Sequence, residues 1–108
     1  MRLEILTLTS RDLARSRAFY SGKLGFRVVE EREGKSFVVD AGGVKLHVDT
    51  NGARGPLVAA EPRLVFNTKG LAERCMNLRD AGVSVEGPRD GRADLADPDG
   101  HPITLLES

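Results

Sequence analysis

The chain has 108 residues, 40% of them apolar, with 16 Lys+Arg against 16 Asp+Glu. That length suits one compact domain or two small half-domains, and the balanced charge gives no electrostatic reason for nucleic acid or an anionic membrane as main partner. With no Trp and 5% aromatics, stacking platforms for single-stranded nucleic acid are not expected either. The single cysteine, Cys75, excludes an internal disulfide and fits a reducing, cytoplasmic setting. No apolar run approaches the roughly 20 residues of a membrane helix. Glu4 in Met1-Arg2-Leu3-Glu4 stands where a secretory signal would begin its hydrophobic region.

Leu3 to Thr9 reads as a strand by alternation, and Asp12 as the N-cap of a helix from Leu13 to Lys23, its carboxylate accepting from free backbone N–H groups one turn on. Phe19, Tyr20 and Leu24 are placed to face a core, and Gly25 suits the reversal that follows. Phe26–Glu31, Ser36–Asp40 and Val44–Asp49 are the next strands, with turns at Gly34 and Gly42-Gly43. Asn51 to Pro62, carrying Gly52, Gly55, Pro56 and Pro62, reads as a linker.

The same order then recurs. A strand at Arg63–Thr68 precedes a helix at Gly70–Ala81 closed by Gly82, and strands follow at Val83–Val85, Ala93–Ala96 and Pro102–Leu106. Asp97-Pro98-Asp99-Gly100 is a turn by composition. Asp12-Leu13-Ala14…Leu24-Gly25-Phe26 aligns with Gly70-Leu71-Ala72…Ala81-Gly82-Val83, as a duplicated strand–helix–three-strand unit would. The expected modules are residues 1–52 and 62–108, with 53–61 as linker. A half this small can hardly bury its own sheet face, so each module needs a partner from this chain or another.

Asp12-Leu13…Ser16…Phe19-Tyr20…Leu24-Gly25-Phe26, together with Asp97-Pro98-Asp99-Gly100 before the last strand, resembles the vicinal oxygen chelate superfamily. That group includes glyoxalase I, bleomycin-resistance proteins, fosfomycin-resistance enzymes and extradiol dioxygenases. The resemblance spans essentially the whole chain. It implies an α+β fold in which two βαβββ modules form an open eight-stranded cupped sheet, usually in a homodimer. It says little about reaction, because the superfamily hosts many.

Strand alternation divides the side chains between two faces. If Leu6, Leu8, Val44, Leu46, Val48, Leu64, Phe66, Ile103 and Leu105 cover the helices, the other face carries Ile5, Thr7, Lys45, His47, Asp49, Arg63, Val65, Asn67 and Thr104. That second set mixes polar and apolar groups, as a small-molecule pocket does.

The superfamily's metalloenzymes draw about four His/Glu ligands from four strands. Carried over by the resemblance, those positions fall on Ile5, on His47 (or Leu46 one residue off), on Arg63 and on Thr104. Hydrocarbon, guanidinium and a neutral hydroxyl are poor donors for a divalent ion, and one imidazole cannot hold it against water. His101, after the turn, is expected to face solvent, and Glu107 to be an exposed acid at a strand end. Cys75, mid-helix and without a local His, reads as a packing residue. No phosphate-cradling glycine loop is present.

The expectation is a metal-free protein, without cofactor, that binds a small organic molecule such as an antibiotic or toxic compound. Ile5, Thr7, His47, Arg63, Val65 and Thr104 are its candidate ligand-binding residues. Arg63 would meet an anionic or carbonyl group, His47 would hydrogen-bond, Ile5 and Val65 would add apolar contact, and Thr7 and Thr104 would offer hydroxyls. One alternative is a metal-dependent glyoxalase- or dioxygenase-like enzyme with a shifted site on His47. Another is an interaction module whose cup is filled by its own side chains, Phe37 among them.

Overall fold

The computed structural model describes residues 1–50 and 63–108. The chain divides into two compact units, Met1–Ala59 and Ala60–Ser108. The segment expected as a linker lies outside the described residues.

In the first unit β1 (Ile5–Thr9) leads to α1 (Leu13–Arg17), then to β2 (Arg27–Arg32), β3 (Ser36–Asp40) and β4 (Lys45–Asp49). The strands are ordered β1-β4-β3-β2, with β1 parallel to β4 and the other pairs antiparallel. As expected, Asp12 caps α1, its Oδ1 accepting from the Arg15 amide at 3.1 Å. The helix expected to run evenly to Lys23 instead widens over Ala18–Lys23 into a π-helical turn. There the Leu24 amide donates to the Phe19 carbonyl, five residues back. Within the widened turn the neighbours Phe19 and Tyr20 are both buried, their rings edge-to-face with centroids 5.1 Å apart. They join Leu8, Phe37, Val39, Leu46 and Val48 in this unit's buried set.

The second unit repeats the plan: β5 (Leu64–Thr68), α2 (Leu71–Asp80), β6 (Glu86–Arg89), β7 (Arg92–Ala96) and β8 (Pro102–Glu107), ordered β5-β8-β7-β6. Again the first and last strands are parallel and the rest antiparallel. Leu71, Cys75 and Leu78 form the buried stripe of α2, which lies against β6, β7 and β8. Leu64, Ala93, Leu95, Ile103 and Leu105 are buried with them. The aligned glycines Gly25 and Gly82 follow the two helices at φ of +78° and +90°, a region that side chains with a Cβ avoid.

One strand is displaced from its expected place. Val83–Val85 lie outside any strand, and β6 begins at Glu86. Glu-Gly-Pro-Arg carries no apolar alternation, and its Gly and Pro argue against a strand interior. Both are tolerated here because β6 is an edge strand whose register slips between Glu86 and Arg89. A Cβ on Gly87 would stand 2.8 Å from the Arg92 carbonyl oxygen, so only glycine permits this approach to β7. Arg79 fastens the segment to α2, its guanidinium donating to the carbonyls of Val85 and Gly87.

The last turn of the fold corrects another expectation. His101 is buried, not facing solvent. The reason is Asp97, whose carboxylate turns inward: its Oδ1 accepts from the amides of Asp99 and His101, each at 2.9 Å. That Asx-type closure draws His101 under the turn, with its Nε2 3.9 Å from Asp97 Oδ2. Glu107 is exposed, as expected, yet its Oε1 accepts from the Leu71 amide at 3.3 Å. Gly70 occupies the N-cap of α2 and has no side chain to cap it, so the adjacent strand supplies the carboxylate.

Candidate functional site

The sheet faces divide as the alternation requires. In the first unit Thr7, His47 and Val38 are register partners across β1, β4 and β3 and share one face, with Ile5, Lys45 and Asp49 on the same side by parity. Phe37 pairs with Val48 and so belongs to the opposite face with Leu8 and Leu46. It is therefore a helix-side core residue and not a plug for the mixed face. Val38, 6% exposed, is the apolar member of the His47 row that the sequence reading left out.

On that face Thr7 Oγ1 lies 3.5 Å from His47 Nδ1, and Asp49 Oδ2 lies 3.8 Å from the same nitrogen. The first distance is at the outer limit of a hydrogen bond. The second is a direct charge pair only when the imidazole is protonated. Ile5, at the edge on β1, is about half exposed, at 51%.

The second unit holds the tighter constellation. Val65, Thr104, Asp94 and Glu86 are register partners across β5, β8, β7 and β6. Arg63 precedes β5 and Arg92 opens β7, each two residues before a member of that row and so on its side. Thr104 Oγ1 donates to Asp94 Oδ1 at 2.6 Å and accepts from Arg63 Nη1 at 3.1 Å. Arg92 grips the same carboxylate from the other side, with Nε on Oδ2 and Nη2 on Oδ1, both at 3.1 Å. Arg63 Nη1 stands 3.5 Å from Asp94 Oδ1. The hydrogen bonds from Arg92 and Thr104 hold the Asp94 carboxyl below the usual carboxylate range, and the same contact raises Arg92.

Two guanidinium groups thus share one carboxylate, and a buried hydroxyl bridges Arg63 to it. Thr104 is 3% exposed, whereas Val65 beside it is 55% exposed. A concavity of about 380 Å³ opens next to the network, lined by Arg63, Ser84, Glu86, Asp94, Leu95, Ala96, Gly100 and Pro102. A second, of about 700 Å³, lies along Glu86–Asp90, Arg92 and Asp94.

Within each unit, then, the candidate residues fall together: Ile5, Thr7 and His47 on one face, Arg63, Val65 and Thr104 on the other module's equivalent face. Asp94, Arg92 and Glu86 were missed. The signal was available in Arg92-Ala93-Asp94-Leu95-Ala96, where burying Ala93 and Leu95 forces Arg92 and Asp94 to the opposite face of the sheet. Starting that strand at Ala93 hid Arg92.

The four positions that the resemblance assigns to metal ligands carry Ile5, His47 (or Leu46), Arg63 and Thr104. Ile5 has no donor atom. Arg63 is cationic and engaged by Thr104 and Asp94, and Thr104 spends its hydroxyl on the same network. Among the described residues no three His, Cys, Asp or Glu side chains gather closely enough to hold a metal ion. These residues do not fit the divalent centre of a metalloenzyme. Cys75 is fully buried, and burial pushes its thiol up. No helix among the described residues is long and apolar enough to cross a membrane.

The fold has many known counterparts. An antibiotic binding protein, TnmS3, from Streptomyces sp. CB03234 matches with a TM-score of 0.82 at 23% identity, over 99% of this chain and 95% of that one. A glyoxalase/bleomycin resistance protein/dioxygenase family enzyme from Burkholderia phytofirmans PsJN gives 0.84 at 18% identity, over 99% and 98%. The integron cassette protein VCH_CASS1 from the mobile metagenome of V. cholerae gives 0.79 at 27% identity, over 99% and 94%. No curated protein matches the sequence. The family model of the glyoxalase/bleomycin resistance protein/dioxygenase superfamily matches residues 2–105. With both modules built as βαβββ units and that match running through nearly every described element, the chain belongs to this superfamily.

Proposed function

We propose that the protein is a metal-free binder of a small organic molecule, acting by sequestration rather than by catalysis. The observation that supports it most is the Arg63–Thr104–Asp94–Arg92 network. Residues at ligand positions of the family's metalloenzymes are here tied into a hydrogen-bonded scaffold beside an open concavity. Such a scaffold holds a guanidinium in place for an incoming polar group without further ordering cost. Val65 adds exposed hydrocarbon next to it, and Ile5, Thr7 and His47 give the first module an equally mixed face. The ligand contacts are assigned to Ile5, Thr7, His47, Arg63, Val65 and Thr104.

A relative of this fold binds an antibiotic, which makes antibiotics the first compounds to try. The reading includes a homodimer, the family's usual assembly, and a cytoplasmic setting, supported by the lone free cysteine. Thermal unfolding against a panel of antibiotics and aromatic metabolites tests the binding claim. A ligand at a hundred times its Kd stabilises by about 2.7 kcal/mol, a shift on the order of 10 °C for a domain of this size. Absence of any shift in folded protein would refute the proposal.

A further inference from the structure

From the charges left open around the second module's network we infer that the ligand is a zwitterion, its anionic group meeting Arg63 and its cationic group meeting Glu86. The inference rests on the binding reading above and names the chemical class of its ligand.

Arg63 spends only Nη1 on Thr104 and Asp94. Among the described residues nothing takes its Nε or Nη2, and the side chain is 48% exposed, so one edge of the guanidinium keeps two parallel N–H donors uncommitted. That edge matches a carboxylate bidentately. Arg92 is used differently: its Nε and Nη2 are both committed to Asp94. Asp94 therefore meets two cations and leaves the Arg63 edge uncompensated.

Glu86 is the opposite case. It pairs in register with Asp94, on the neighbouring strand and the same face, and is exposed. Among the described residues its side chain has no ion pair or hydrogen bond. Arg63 and Glu86 line the same concavity, whose remaining wall combines Asp94 and Ser84 with Leu95, Ala96 and Pro102. The guanidinium reaches the Asp94 carboxylate, and Glu86 stands one strand further on, about 5 Å away at the backbone. The concavity thus presents the Arg63 guanidinium and the Glu86 side chain on either side of Asp94, whose own carboxylate is taken up by Arg92 and Thr104. A molecule carrying either charge alone would meet one of them with the wrong sign, and a neutral one would leave both without a partner.

The test titrates ¹⁵N-labelled protein with three matched probes, followed by backbone and arginine side-chain NMR. They are 4-(aminomethyl)benzoate, its methyl ester and 4-methylbenzoate: zwitterion, cation and anion on one frame. The expected result is binding of the zwitterion at least tenfold tighter than either singly charged probe, with shifts centred on β6 and β7. Arg63→Gln should erase the preference over the ester, and Glu86→Gln the preference over 4-methylbenzoate. Equal binding of all three, or a zwitterion preference untouched by both variants, would overturn the inference while leaving small-molecule binding in place. No response to any probe would overturn the inference and count against the binding reading with it.

Discussion

Thr104, almost fully buried, donates to Asp94 at 2.6 Å and accepts from Arg63 at 3.1 Å. A hydroxyl in this position does two things a methyl could not. It accepts a hydrogen bond from a guanidinium and donates one to a carboxylate, so the cation and anion are held by an intermediate of fixed geometry.

Thr104→Val keeps the shape and removes both bonds. The variant should lose about 1.5–3 kcal/mol of stability in urea denaturation, because both lost hydrogen bonds are to charged groups. Thr104→Ser should stay close to the parent, because the hydroxyl is retained. Equal stability of all three would mean the network contributes nothing to folding.

The acid limb of the stability profile should carry the signature of Asp94. Its carboxyl is held below the usual range in the folded protein by Arg92 and Thr104, so the unfolded chain binds the proton first. The stabilisation is complete above the ordinary carboxylate range and is lost as pH falls through the lower, folded value. Denaturation midpoints of the parent should therefore fall more steeply with acid than those of Asp94→Asn. Parallel profiles would contradict the assignment.

Asp97 should be among the most sensitive polar positions of the second module. Its side chain is 1% exposed, and its Oδ1 receives two amides. Asp97→Ala leaves both donors without that acceptor and should cost about 2–3 kcal/mol by denaturant unfolding. Asp97→Asn, which keeps the oxygen, should cost less.

Glu107→Ala removes the carboxylate at the start of α2. The expected loss is about 0.5–1 kcal/mol, with faster amide hydrogen exchange at Leu71. Unchanged exchange there would show that the contact does not hold the helix end.

The sequence made most of this architecture readable, because alternation and capping are local. Asp12 caps as its position demands, β3 runs over the expected Ser36–Asp40, and the paired glycines close both helices. The failures are tertiary. Edge strand β6 has no periodicity to detect, since a Gly-Pro core survives only where one side needs no partner. The burial of His101 depends on a carboxylate turning inward, which composition does not reveal. On the site, Arg63 and Thr104 were legible as members of one face, whereas their contact with Asp94 required the register of β7 against β8.

The measurement that bears most directly on the account is the thermal midpoint of chelator-stripped protein, with and without the screened compounds. The account predicts that a ligand raises the midpoint on the order of 10 °C at saturating concentration, equally with or without added Zn²⁺, Ni²⁺ or Mn²⁺, and that Arg63→Gln markedly reduces the rise. A rise that appears only when a divalent ion is restored would contradict it.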